Sequence, residues 1–113
     1  MPNRTKWWRA DTGFKPSGTA EDVVRYEVEE LGNEDIGEQA RRTGIDLSRF
    51  PASQIVWVTK NKSVARHYGE VEEYHIPQNS KIIATDGDGG YLVLKECDES
   101  QRKCVPIKNV HVR

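Results

Sequence analysis

The chain has 113 residues, of which 35% are apolar and 31% charged, with a formal net charge of −1. That length supports one domain, 1–113, with a single modest core. No apolar run approaches the roughly 20 residues that span a bilayer, and the opening MPNRTKWWRAD has no apolar stretch of the signal-peptide kind. A cytoplasmic protein with no membrane partner is therefore expected, and the near-neutral total counts against nucleic acid as a partner.

In chain order, Thr5 to Ala10 reads as a first strand, with Trp7 and Trp8 on opposite faces because strand side chains alternate. The turn-rich DTGFKPSG follows. Thr19 is placed as an N-cap, with Asp22 in the capping-box position. Val24, Val28 and Leu31 then recur at helical spacing, and Gly32 sits where a glycine ends such a helix. A second helix, from Asn33 to Arg42, has only Ile36 and Ala40 as apolar anchors. Ile45 to Ser53 reads as loop.

The second half is rich in strands. Gln54 to Thr59 is dense in β-formers, and Asn61 or Thr59 caps a short helix that runs through Tyr68 and stops at Gly69. Glu72, Tyr74 and Ile76 alternate with Glu73 and His75. Lys81 to Ala84 and Tyr91 to Leu94 flank DGDGG, a strong hairpin signal, and a last strand is expected over Val105 to Val112. One strand, one or two helices and then a mostly antiparallel β-rich half make an α+β domain.

Charge is unevenly spread. Segment 16–40 carries Glu21, Asp22, Glu27, Glu29, Glu30, Glu34, Asp35 and Glu38 against Arg25 alone, while both ends are basic. Such a helical face is ordinarily solvated; the sharper reading is a surface that mimics nucleic acid or docks on a basic partner. Cys97 and Cys104 flank DESQRK and, in a reducing cytosol, read as two free thiols on neighbouring strands. DGDGG is not a calcium loop, because the twelfth position counted from Asp86 is Cys97, nor a phosphate loop, because Tyr91 and Leu92 follow it. His67, His75 and His111 lack metal-ligand spacing. Arg9, at the end of the first strand, has the planar fork that clamps a phosphate or carboxylate.

Several segments, taken in order, resemble the mono-ADP-ribosyltransferases. Trp8-Arg9-Ala10-Asp11 stands where that family carries an arginine at the end of its first strand, and Gly13-Phe14-Lys15-Pro16-Ser17-Gly18 is similar to the loop that follows. Trp57-Val58-Thr59 stands at the Ser-Thr-Ser strand and keeps only its central hydroxyl, as Thr59. Ala65-Arg66-His67-Tyr68-Gly69 resembles the helix ending, and His75-Ile76-Pro77-Gln78-Asn79-Ser80 the next strand. The family's catalytic glutamate is absent from its place, with Asp86 and Asp88 the nearest acids. The resemblance implies transfer of ADP-ribose from NAD, as a substrate, to a macromolecular target that is more often protein, as a phage or bacterial toxin or anti-defence factor would do. In that reading Arg9 holds the NAD phosphates, Thr59, Trp57 and Tyr68 form the nicotinamide pocket, and Asp88 or Asp86 stabilises the transition state. The alternative is a catalytically inactive domain that binds or inhibits a partner through its acidic 16–40 segment.

Overall fold

The computed structural model describes residues 6–11, 17–97 and 104–107, with Asp11 described in its backbone only. It is an α+β domain. The order is β1 (Trp7–Asp11), α1 (Ala20–Glu29), α2 (Glu34–Arg42), two 3-10 turns (Leu47–Arg49 and Ala52–Gln54), β2 (Ile55–Thr59), α3 (Lys62–Ala65), β3 (Glu70–Tyr74), β4 (Lys81–Thr85) and β5 (Gly90–Leu94). Among the described residues no helix is long and apolar enough to cross a membrane.

Local chemistry accounts for the helices. The Thr19 hydroxyl accepts from the Asp22 N–H while the Asp22 carboxylate accepts from the Thr19 N–H, closing the capping box that starts α1. The chain leaves α1 through Gly32, at φ 74°, a left-handed conformation that glycine adopts at low cost. Leu31, though in helical register with Val24, is 53% exposed, because the helix has ended before it. Ile36 and Ala40 are buried and anchor α2, and Gly37 between them lets α2 approach Val28 of α1 closely. Asn61 caps α3 by accepting from the Ser63 N–H.

The five strands form one antiparallel sheet in the order β3-β1-β2-β5-β4. Ile55, Leu92, Leu94, Ile83 and Ala84 face α1 and α2 and form the main core with Val24, Ile36, Leu47 and Phe50. Val56, Val58 and Val93 point to the other face, under Trp7, Tyr74, Ile76 and Tyr91. DGDGG is the β4–β5 hairpin turn: the Asp86 carboxylate accepts from the N–H groups of Asp88 and Gly90, and Gly87 and Gly89 have φ of 83° and 98°.

The β1–β2 junction is loose. β1 pairs with β3 over five residues, but with β2 only at Trp8 opposite Thr59. In a flat sheet Tyr74 would lie in the row of Trp7 and Lys60, and Lys95 in the row of Gln54, about 20 Å away at roughly 3.3 Å per residue. Yet Lys95 Nζ donates to the Tyr74 hydroxyl at 2.7 Å. The β1–β3 pair therefore swings across the valine face of β2–β5–β4, and a wedge opens between β1 and β2 on the opposite, helix-facing side.

Three expectations are corrected. The 45–53 segment is not plain loop; it contains the two 3-10 turns. The stretch 104–107 is not a strand: the Val105 N–H and C=O bond to the Gln54 side chain and the Ile107 N–H to Glu96, leaving no ladder partner. The rest of that expected strand lies outside the described residues, as do Thr5, residues 12–16 of the glycine-rich connection, His111 and the basic residues Arg4, Lys15, Arg102, Lys103, Lys108 and Arg113. Finally, Cys97 and Cys104 are not free thiols but a disulfide, with Cα atoms 5.6 Å apart. The Gln54 side chain binds both Lys95 and Val105, near the two cysteines, and so holds the flanks of the bridge together.

Candidate functional site

The wedge holds a cavity of about 390 Å³. That is at the low end of the roughly 300–1,000 Å³ typical of ligand sites. It touches successive residues of β1, from Trp8 to Ala10, and of β2, from Ile55 to Thr59. Because strand side chains alternate, contact with successive residues means that the cavity runs along both backbones. The loose β1–β2 junction thus creates the site. Its other walls are α1, through Val23 and Glu27, the α3 end, through Val64, Ala65 and Tyr68, and the β4–β5 turn, through Asp86 and Gly90.

Trp57, Thr59, Tyr68 and Asp86, which sequence reasoning singled out, all line this cavity although they are up to 29 positions apart. Thr59 is buried, and its hydroxyl accepts from the Asn61 N–H, which fixes the turn from β2 into α3. Tyr68 is 63% exposed and forms a rim to the apolar interior. Asp86 is committed to its turn through the two backbone N–H groups it binds. Asp88, on the same turn, is exposed and does not reach the cavity.

Arg9 is among the residues that line the cavity, but its guanidinium lies over Tyr74, which does not line it. Trp8 and Ala10 face the wedge, so alternation sends the Arg9 side chain to the other face, where its guanidinium lies 5.5 Å from the centre of the Tyr74 ring. The guanidinium and the Asp86 carboxylate therefore do not meet across the cavity.

The acid that sequence reasoning missed is Glu27. Its Oε2 accepts from Trp57 Nε1 at 3.2 Å and its Oε1 from Asn33 Nδ2 at 2.9 Å. One carboxylate oxygen is thus held against an indole that lines the cavity and the other by the Asn33 amide. In the sequence Glu27 is one of eight acids on 16–40 and carries no local mark; only the packing of α1 on β2 separates it from its neighbours. Lys62, which does not itself line the cavity, places its Nζ 5.0 Å from the centre of the Trp8 ring, which does. The arrangement is a slot walled by Trp8, Trp57 and Tyr68, with an oriented carboxylate inside and an ammonium at one wall. Such walls suit a flat, positively charged ring. Among the described residues no group of His, Cys, Asp and Glu is placed to hold a metal ion.

No protein-family model, no curated protein and no solved structure matches the chain.

Proposed function

We propose that the wedge cavity binds NAD and that the protein transfers its ADP-ribosyl group to a macromolecular target. The observation that carries this reading is the convergence of Trp57, Thr59 and Tyr68, from β2 and the α3 end, on a single slot that also contains the oriented Glu27 carboxylate. The nicotinamide ring of NAD is a flat cation, which the aromatic walls suit. When the bond between nicotinamide nitrogen and ribose C1′ breaks, its electron pair leaves with the nitrogen and positive charge spreads over the ribose. A fixed carboxylate stabilises that charge, an effect typically worth a few kcal/mol. A nucleophile on the target then bonds to C1′ and gives up its proton. Glu27, held by Trp57 and Asn33, suits this role better than Asp86 or Asp88, and Lys62 is better placed than Arg9 to meet a phosphate.

The test is NAD binding by calorimetry and nicotinamide release with a cell lysate as acceptor. Glu27→Gln keeps the shape and one acceptor for the Trp57 indole, while its NH2 replaces the oxygen that accepts from Asn33, so it is expected to bind NAD within a few-fold of the parent and to release nicotinamide about 100-fold more slowly. No NAD binding by the parent protein refutes the reading.

The direction of Arg9 favours one second reading, a domain of this fold that no longer catalyses and captures a basic partner through its acidic 16–40 segment. Salt-sensitive capture of one lysate protein without NAD binding would support it. Either activity is taken to be cytoplasmic, where thiols are kept reduced, so both assays are run with and without reductant to follow the Cys97–Cys104 bond.

A further inference from the structure

The face of β1 away from the cavity carries a second concentration of chemistry. Trp7 and Tyr74 are direct partners across the β1–β3 pair. The Trp7 and Tyr91 rings meet edge to face, 5.6 Å between centres. The three rings are contiguous, half-buried, and seated on Val56, Val58 and Val93, so their positions are set by packing. Three cations lie over them. Lys60 Nζ is 5.4 Å from the Trp7 ring centre and 5.2 Å from that of Tyr91, while Arg9 and Lys95 are 5.5 and 5.1 Å from Tyr74. Cation–ring contacts of consequence occur roughly once per 70–80 residues, so four on one face of a small domain is a local enrichment. None of the three cations makes an ion pair among the described residues, whose ion pairs lie in 21–49. Glu72, the direct partner of Arg9, and Glu70 beyond it share this face of β3 with Tyr74, next to the cations.

We propose that Trp7, Tyr74 and Tyr91, with Lys60, Arg9 and Lys95, form a binding surface for single-stranded nucleic acid. An ammonium over a partly exposed ring contributes about 0.5–1 kcal/mol. A base stacked on an aromatic side chain contributes about 1–3 kcal/mol. A base therefore displaces the cation from the ring, and the freed cation moves to the adjacent phosphate, so that one rearrangement satisfies both groups. A duplex keeps its bases stacked on each other, so the rings select single strands. An acidic peptide would meet the cations but offers the rings no flat partner. The near-neutral net charge conceals this surface because the acids of 16–40 lie on other elements. The proposal does not depend on the cavity's ligand; if both hold, nucleic acid is the acceptor class.

The experiment titrates the full chain, without NAD, into a fluorescein-labelled oligothymidylate and into a duplex of equal length, over a range of salt. The expected result is salt-sensitive binding of the single strand, at least tenfold tighter than the duplex, with quenching of tryptophan fluorescence. Lys60→Ala with Lys95→Ala is expected to weaken binding about tenfold and to reduce the log–log salt slope by about 1.4, at about 0.7 for each phosphate no longer neutralised. Lys60 is exposed, so Lys60→Glu alone serves if loss of the Lys95–Tyr74 hydrogen bond disturbs folding. Absence of single-strand binding at low salt, equal binding of duplex, or unchanged affinity in the lysine variants would each overturn the proposal.

Discussion

Replacing Gln54 by methionine tests how the C-terminal segment is held. Gln54 is 1% exposed, and its side chain is a clamp: Nε2 donates to the carbonyls of Lys95 and Val105, both at 2.8 Å, and Oε1 accepts from the Val105 N–H at 3.0 Å. Methionine nearly keeps the volume and removes all three bonds. Each backbone group left without a partner in a buried site costs about 1–3 kcal/mol. Three such groups give at least about 3 kcal/mol, a large share of the roughly 5–15 kcal/mol that stabilises a small domain. The assay is urea unfolding followed by tryptophan fluorescence, with a parallel thermal melt expected to fall by about 10 °C or more. The Cys97–Cys104 bond tethers the same segment. Its reduction and the Gln54 substitution should therefore be coupled rather than additive, which a double cycle in oxidised and reduced protein measures. A loss below about 1 kcal/mol would refute the reasoning, since it would mean that 104–107 is not held through this clamp.

Two further outcomes follow from the local hydrogen bonds. The carboxyl of Asp22 is held below the ordinary aspartate value of 3.8 first by its bond from the Thr19 backbone, and that of Asp46 by its bonds from Ser48. Both therefore stabilise the fold above that pH, and their contribution is lost as pH falls through the lowered folded values; Asp22→Asn should flatten this acid limb in pH-dependent melting, and an unchanged limb would count against it. Gln39 closes the exposed edge of β4 by giving Nε2 to the Thr85 carbonyl and accepting the Thr85 N–H. Gln39→Ala should speed exchange of the Thr85 amide about fivefold or more, at about 1 kcal/mol for the bond, while the Leu92 amide, in the interior of the sheet, keeps its rate.

Features written into neighbouring residues were legible. The Thr19–Asp22 box, the Asn61 cap, the Ile36 and Ala40 anchors and the DGDGG hairpin each depend on groups within a few positions of one another, so composition and spacing reveal them. The 3-10 turns before β2 were not legible, because they depend on long-range bonds such as the Ala20 N–H to the Phe50 carbonyl and the Ala52 N–H to that of Gly18. The disulfide escaped for a different reason: the cysteines are only seven positions apart, and the expectation of free thiols rests on an assumed reducing cytosol. Of the site residues, Trp57, Thr59 and Asp86 lie where the sequence places them; Tyr68 is expected in a helix that in fact ends at Ala65, and Glu27 is distinguished only by the helix packing that presents it to the Trp57 indole.

Sequence alone determined that Arg9 shares a strand face with Trp7 and opposes Trp8, for alternation along an extended chain admits nothing else. It also determined where α1 and α2 run and that DGDGG turns the chain between β4 and β5. Tertiary structure decided which of those two faces looks into the cavity. A single residue pair, Trp8 with Thr59, joins the β1–β3 pair to β2; it leaves Arg9 over Tyr74 on the valine face and the slot on the other side. Such a choice rests on packing between segments distant in the chain, where no periodicity of a single segment can record it.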